Sequence, residues 1–176
     1  MTEPEYLADA SVDAAMDEKI RALLTTCFTG PQNAVFQTRR YFHDPYPHRW
    51  IVRDERGALA AHVGVHERRV VADGKPLRIV GIAEVSVHPD QRGRGHVRAI
   101  LREVHAWATR EGFEFSALFG KPEVYGSSGY RSVANLSVDV AGPDGRIARK
   151  KMPAMVRPLA QAPWPAGEVF LEGAVF

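Results

Sequence analysis

The most constraining feature of the sequence is VSVHPDQRGRGHVRAIL, residues 85–101, where a strand-like run passes through two glycines directly into a helix. Before the glycines, Glu84, Ser86 and His88 share one mixed face of the run. After them the apolar residues recur at helical spacing, at Val97, Ile100, Leu101, Val104 and Ala108. The first amides of a helix lack intrahelical partners and lie at the positive end of its dipole. The junction therefore predicts an anion site, to which glycine gives close backbone access and arginine adds charge.

Three strands and one helix are predicted before this junction. Alternating residues occupy RWIV, ALAAHVGVHERRVV and PLRIVGIAEVSV, and the turn signals DERG and ADGK separate these runs, which favours three antiparallel strands. Upstream, helical spacing predicts a helix from Ser11, as its N-cap, to Cys27, with a stop at Gly30. The aromatic, proline-broken stretch RRYFHDPYPHRW is typical of a loop that shapes a binding site and can include a short helix.

The predicted elements after the junction complete an α+β fold. Gly112 is expected to end the helix, and a strand in FEFSALFG and a short helix opened by Pro122 follow. RSVANLSVDV and AMVRPL flank the turn signal GPDG, which predicts a hairpin, and a last strand-like run follows Gly167. We expect a mostly antiparallel sheet flanked by helices in a single domain, residues 1–176.

Composition and charge exclude several classes of protein. With 45% hydrophobic and 25% charged residues in 176, the chain can bury one core. The net charge of +2 gives no reason to expect nucleic acid or an acidic membrane as a partner. The acidic start lacks the features of a secretory signal, and no apolar run reaches about 18 residues, so we expect a cytoplasmic protein.

No metal site is expected. Cys27 is the only cysteine, which excludes an intrachain disulfide and a cysteine-based zinc site. His62 and His66 are four residues apart on a predicted strand, roughly 13 Å along it, too far to share one ion.

Two familiar phosphate-binding loops do not fit the junction. A Walker loop requires Gly-Lys-Ser/Thr, which the chain lacks, and the dinucleotide fingerprint requires a third glycine where Arg98 stands. The segment Arg92-Gly93-Arg94-Gly95-His96-Val97 instead resembles the pyrophosphate loop of the GNAT acetyltransferases, Gln/Arg-x-x-Gly-x-Gly/Ala. It departs from that pattern at Val97, which replaces the small residue.

A second motif occurs where that superfamily has one. The segment from Tyr125 to Tyr130, YGSSGY, resembles the signature Tyr-x-x-x-Gly-Phe/Tyr, and the order of predicted elements agrees across nearly the whole chain. The chain is therefore identified as a member of the GNAT superfamily. The resemblance implies an enzyme that transfers an acetyl group from acetyl-CoA to an amine by direct attack, without a metal.

The resemblance also assigns roles to residues. The loop amides would hold the pyrophosphate, and the backbone around Ser86 would pair with the pantetheine arm. The residues expected to contact acetyl-CoA are Val85, Ser86, Val87, Arg92, Gly93, Arg94, Gly95, His96 and Val97. Tyr125 would protonate the departing thiolate, with a role as a core aromatic as the alternative. Glu84 would accept the proton of the amine, directly or through water, with a structural ion pair as the alternative.

The acceptor is suggested by two neighbouring families. The segment from residue 61 to residue 101 has a close counterpart in the aminoglycoside 2'-N-acetyltransferases, and WPAGEVF, residues 164–170, resembles their Trp-x-Ala-Gly-Asp-Val-Trp. The rhizobial nodulation acyltransferases carry a similar Trp-Pro-Ala-Gly. Carboxylates suit a cationic sugar, and the acceptor candidates are Asp44, Glu84, Glu123, Glu168, Glu172 and the carboxylate of Phe176.

The leading expectation is an aminoglycoside N-acetyltransferase that confers resistance by modifying a 2'-amine, kasugamycin-like compounds included. The alternatives are acetylation of another small amine, an oligosaccharide or a protein, and a CoA-binding or nucleic-acid-binding protein without catalysis. We expect a small-molecule amine as the partner, no nucleic acid or membrane, and leave a homodimer open.

Overall fold

The computed structural model of the protein describes residues 3–176 and contains three α-helices and ten strands in that range. The helices are α1 (Ala14–Cys27), α2 (His96–Arg110) and α3 (Pro122–Tyr125). The strands are β1 (Glu5–Ala8), β2 (His48–Arg53), β3 (Leu59–Ala72), β4 (Lys75–Val87), β5 (Phe115–Leu118), β6 (Arg131–Val133), β7 (Leu136–Ala141), β8 (Ile147–Lys151), β9 (Ala154–Pro158) and β10 (Val169–Leu171). Short 3-10 helices occupy Asp9–Ser11, Pro31–Gln37, Pro89–Gln91 and Gly126–Ser128.

The chain divides into two compact units. The residues up to His66 and Ile82–Val104 form one unit, which we call the N-terminal unit. Glu67–Gly81 and His105–Phe176 form the other, which we call the C-terminal unit. Strands β3 and β4 contribute residues to both units.

The N-terminal unit is built on the order β1-β2-β3, with antiparallel pairing throughout. Helix α1 places Ile20, Leu23 and Leu24 in a core that also buries Phe36, Ile51 and Leu59. Asp13 caps the helix because its carboxylate accepts the N–H of Met16 at 2.8 Å. The prediction of a helix ending at Cys27 is confirmed, but Ser11 as its N-cap is wrong, since Ser11 ends a separate 3-10 turn.

The C-terminal unit contains six whole strands and the parts of β3 and β4 within residues 67–81, in the order β6-β9-β5-β4-β3-β10-β7-β8. The pairs β4–β5 and β7–β10 are parallel, whereas β5–β9, β6–β9, β7–β8 and β3–β10 are antiparallel. Its core includes Ile79, Phe115 and Leu136. The α+β class with a mostly antiparallel sheet is confirmed.

The hairpin predicted around GPDG has a different second strand. The turn connects β7 to β8, where Asp139 faces Arg149, whereas AMVRPL forms β9 and pairs with β5 and β6. Every residue of β8 is exposed, so its sequence lacks the apolar alternation that identifies a half-buried strand.

Strands β3 and β4 are joined by the predicted two-residue turn. Asp73 and Gly74 have φ angles of +50° and +71°, the left-handed conformations that a tight hairpin requires.

Within residues 3–176, no helix is long and apolar enough to cross a membrane.

Candidate functional site

Strand β4 contains a strained residue near its end. Glu84 has a φ of +41°, a left-handed conformation that costs a non-glycine residue on the order of 1–3 kcal/mol. Such a residue persists only where its surroundings hold it. The Glu84 carbonyl lies 3.2 Å from Nδ1 of His62 on β3.

The Glu84 carboxyl is largely removed from water. Its Oε1 accepts the backbone N–H of Phe42 at 3.1 Å, and its buried Oε2 has no hydrogen-bond partner within residues 3–176. Burial raises the pKa of Glu84 to about 7, although the Phe42 N–H, the Tyr46 hydroxyl and the charge of Arg49 act to lower it. A carboxyl with this pKa exchanges protons readily at neutral pH, as a general base must.

Tyr46 fills the space beside this carboxyl. Its ring lies against Gly64, where an added Cβ would sit 2.5 Å from the ring, so a strand glycine admits the aromatic side chain. The hydroxyl donates to the carbonyl of Arg40 at 2.7 Å. Burial and the charge of Glu84 raise the pKa of Tyr46 well above its ordinary value, so the phenol stays protonated.

The loop that carries Phe42 and Tyr46 is anchored by ion pairs. Arg40 donates to both carboxylate oxygens of Asp9, at 2.8 and 2.9 Å, and to Asp17 at 2.8 Å. Buried Arg49 also donates to Asp9, and its guanidinium lies 4.8 Å from the centre of the Tyr46 ring. These acids therefore neutralise arginines that hold the loop in place.

The end of β4 presents backbone groups next to the predicted anion site. Val85 and Val87 are half-buried, while Ser86 is 2% exposed and its hydroxyl lacks a partner within the described part of the chain. The carbonyl of Val87 accepts the Cys27 thiol at 3.2 Å and Nε of Arg92 at 3.4 Å.

The glycine loop has the geometry that an anion site requires. Gly93 and Gly95 have φ angles of +75° and +78°, and a Cβ at either position would meet no atom within 4 Å. The backbone is therefore open on that side. Helix α2 begins directly afterwards, and the N–H of Ala99 is bonded to Gly95 at 3.0 Å, which leaves the preceding amides without intrahelical acceptors.

The loop arginines and His96 differ in what they offer an anion. Arg92 and Arg94 are exposed and bond only weakly to backbone carbonyls, at 3.4 and 3.5 Å. His96 is buried, and burial together with the charge of Arg94 lowers its pKa, so its ring is neutral at pH 7. The two arginine side chains therefore offer positive charge to an anion, whereas the ring of His96 does not.

A cavity of about 700 Å³ lies beside this loop in the N-terminal unit. Its charged walls come from the β2–β3 turn and from the loop, and they include Arg53, Asp54, Glu55, Arg56, Asp90 and Arg94. The equal number of acids and arginines in that set gives the cavity no strong preference for an anion by itself.

Tyr125 ends α3 in the C-terminal unit. Its ring packs against Gly120 and meets the ring of Tyr130 edge-on, with 6.2 Å between centroids. Burial raises the pKa of Tyr125, so its hydroxyl carries a proton at neutral pH. Tyr130 is fixed by hydrogen bonds between its hydroxyl and Ser116 at 2.7 Å and His105 at 2.9 Å.

The predicted acceptor carboxylates are distributed over both units. Asp44 and Glu84 belong to the N-terminal unit, whereas Glu123, Glu168 and Phe176 belong to the C-terminal unit. Glu123 and Glu168 are exposed. The ring of Phe176 lies against Gly81 and 5.1 Å from that of Phe119, and Glu172 lies 3.9 Å from Arg69.

The Trp-Pro-Ala-Gly motif has a packing role in the C-terminal unit. Trp164 donates its indole N–H to Asn135 at 2.9 Å and meets Phe115 edge-on at 5.1 Å. Asn135 in turn donates to the carbonyls of Pro165 and Gly167.

The described residues hold no group of three His, Cys, Asp or Glu side chains that could bind a metal.

Three residues around Glu84 were not predicted from the sequence. They are Phe42, Tyr46 and His62, which contact Glu84 from a loop and a neighbouring strand. Gly64 was a usable signal, because an isolated glycine in a strand often marks the close approach of another group.

Comparisons with known proteins identify the family of the chain and support its fold. The model of the acetyltransferase (GNAT) domain matches residues 11–133. The solved structure of the GNAT family N-acetyltransferase YhbS from Escherichia coli, in complex with CoA, is similar with a TM-score of 0.66 at 19% identity, over 97% of this chain and 90% of that one. None of the curated proteins matches the sequence.

Two further solved structures share the fold. The ribosomal-protein-S18-alanine N-acetyltransferase from Escherichia coli has a TM-score of 0.54 at 17% identity, over 91% of this chain and 96% of that one. Eis1 from Mycobacterium abscessus has a TM-score of 0.57 at 15% identity, over 76% of this chain and 33% of that one.

Proposed function

The chain belongs to the GNAT acetyltransferases, and we propose that it transfers an acetyl group from acetyl-CoA to a primary amine with Glu84 as the general base. The observation that carries this proposal is the Glu84 carboxyl, whose pKa burial raises to about 7, on the strand that leads into the glycine loop. An ordinary surface glutamate in a structural ion pair would have a lowered pKa instead.

In the proposed reaction two groups of this chain, Glu84 and Tyr125, transfer protons. Glu84 removes a proton from the acceptor ammonium, and the freed amine attacks the thioester carbonyl of acetyl-CoA. The carbon–sulfur bond then breaks, and the attacking nitrogen, which still carries two protons, releases one of them to water, so the products are an amide and the CoA thiolate. Tyr125, which stays protonated at neutral pH, gives its proton to that thiolate.

Acetyl-CoA is the proposed donor because the glycine loop offers what its pyrophosphate needs. The loop combines two left-handed glycines, unbonded amides at the start of α2, and the exposed Arg92 and Arg94. The similar YhbS structure was solved with CoA, which supports the same donor here.

For the acceptor we propose an aminoglycoside, modified at its 2'-amine with resistance as the consequence. The support is the likeness of residues 61–101 and 164–170 to that family, together with exposed carboxylates such as Glu168 that suit a cationic sugar. A small-molecule amine is thus the proposed partner.

The test is a thiol-release assay with purified protein, acetyl-CoA and a panel of aminoglycosides, polyamines, amino-oligosaccharides and peptides. We expect turnover with a sugar amine, and about a hundredfold loss of kcat in Glu84→Gln. Glu55→Gln, an exposed control for the loss of one carboxylate, should keep its rate. Turnover with peptides or polyamines alone would refute the aminoglycoside proposal, and CoA binding without any turnover would refute catalysis.

A further inference from the structure

We propose that His62 is the positioning residue that holds the strained backbone of Glu84 and thereby sets the orientation of its carboxyl. The inference rests on the proposed role of Glu84 as the base. It begins from one contact, the 3.2 Å between Nδ1 of His62 and the Glu84 carbonyl.

The protonation state of His62 defines the direction of this hydrogen bond. His62 is fully buried, and burial, together with the charge of Arg49, lowers its pKa to about 3. At neutral pH the ring therefore has a single N–H. Because a carbonyl can only accept, that proton lies on Nδ1 and is donated to Glu84. Nε2 is left as an acceptor, 3.5 Å from the Tyr46 hydroxyl.

The His62 side chain donates a hydrogen bond of the kind that a backbone N–H of a neighbouring strand normally supplies. A residue with a φ of +41° turns its peptide groups away from the regular ladder, and a buried carbonyl without a donor is costly. The His62 N–H satisfies that carbonyl in the turned position. The bond therefore stabilises the strained conformation relative to the extended one.

The orientation of the Glu84 carboxyl depends on the same backbone. Side chains of an extended strand alternate between its faces, so a change from φ +41° to extended backbone at Glu84 would redirect its carboxyl. The charged and titratable groups that face Glu84, His62 and Tyr46 include Arg49 on β2, Asp9, which is paired with Arg49, and His66 on β3, whose ring meets that of Tyr46.

The test uses NMR to compare two variants in which His62 is replaced. His62→Asn keeps an N–H near the position of Nδ1, whereas His62→Leu fills the space without a donor. The carboxyl carbons of Glu are labelled with carbon-13, and the Glu84 signal is identified by its loss in Glu84→Gln. His66→Ala is the control, because His66 is buried on the same strand and meets Tyr46 edge-on at 5.3 Å.

We expect the Glu84 titration midpoint to fall by about one pH unit or more in His62→Leu and to stay unchanged in His62→Asn and His66→Ala. In the thiol-release assay, kcat should fall about a hundredfold in His62→Leu with the KM for acetyl-CoA unchanged, and His62→Asn should restore it. An unchanged midpoint in folded His62→Leu, or an altered midpoint in folded His62→Asn, would overturn the proposal.

Two features keep this test decisive. If His62→Leu does not fold, the folded His62→Asn variant still decides, since its midpoint must match that of the unsubstituted protein. The titration uses neither acetyl-CoA nor an acceptor, so it reports on His62 even if no acetyl transfer is found. If the Glu84 midpoint falls in His62→Leu as expected but no turnover is found, only the proposed function is refuted.

Discussion

Replacing Glu84 by Gln should stabilise the protein at pH 8 and leave its stability nearly unchanged at pH 4. The amide of Gln keeps an oxygen that can accept the N–H of Phe42, so the substitution removes mainly the titrating charge. The buried carboxyl is otherwise a cost to the native state whenever it is ionised.

The size of the effect follows from the two pKa values. The pKa of Glu84 is about 7 in the folded protein and has an ordinary value of 4.5. Because the pKa of Glu84 is higher in the folded protein, the contribution of Glu84 to the free energy of unfolding is complete below pH 4.5 and is lost as the pH rises through 7. At about 1.4 kcal/mol per unit, the loss amounts to roughly 3 kcal/mol.

The assay is urea unfolding of both proteins at pH 4, 5, 6, 7 and 8, followed by circular dichroism. Other groups titrate alike in the two proteins, so the difference in their free energies of unfolding isolates Glu84. That difference should grow from near zero to about 3 kcal/mol in favour of Glu84→Gln.

A constant difference from pH 4 to pH 8 would refute the reasoning, since it would mean that the Glu84 carboxyl titrates alike in both states. Glu55→Gln is the matched control, because it removes one exposed carboxylate in a surface turn. A pH-dependent gain of the same size in that variant would assign the effect to net charge.

Four further predictions concern the same molecule. The kcat/KM for acetyl transfer should rise with pH up to about 7 and then level off, because burial raises the pKa of Glu84 to about 7, and a flat profile from pH 6 to 8 would exclude Glu84 as the base. Tyr125→Phe should lower kcat about tenfold or more at an unchanged KM for acetyl-CoA, and an unchanged rate would make Tyr125 structural. Gly95→Ala, at a φ of +78°, should cost about 1–2 kcal/mol of stability and weaken CoA binding by calorimetry, whereas the equally strained Gly74→Ala should leave the affinity unchanged. Gly64→Ala should destabilise the protein by about 1–3 kcal/mol in urea, because the new methyl group would overlap the Tyr46 ring, and wild-type stability would contradict that packing.

The sequence predicted most elements with a strong periodic pattern. Helix α2 and strands β2 to β4 were predicted because their apolar spacing reflects which face is buried. Strand β1 was not, since EYLA is four residues long and carries no distinct alternation. Strand β8 was missed because all of its side chains face solvent, and a strand without a buried face leaves no pattern.

The site was predictable to a smaller extent. Glycine spacing and the position of Glu84 on the mixed face of β4 were evident in the sequence, because both are local features. The left-handed φ of Glu84 and its buried carboxyl were not, since they depend on Phe42, Tyr46 and His62, which lie 42, 38 and 22 positions away in the chain. Contacts at such separations leave no periodic signal.

The burial that raises the pKa of Glu84 also makes the proposed proton transfer from the acceptor easier. Moving a proton from a primary ammonium with a pKa near 10.4 to an ordinary carboxylate is uphill by about 8 kcal/mol. For a carboxylate with the pKa of about 7 that Glu84 has, the same step is uphill by about 5 kcal/mol. The difference, about 3 kcal/mol, equals the free energy by which ionised Glu84 destabilises the native state at pH 8. Contacts that hold the carboxyl in place, His62 among them, therefore maintain a destabilised base that deprotonates the acceptor more easily.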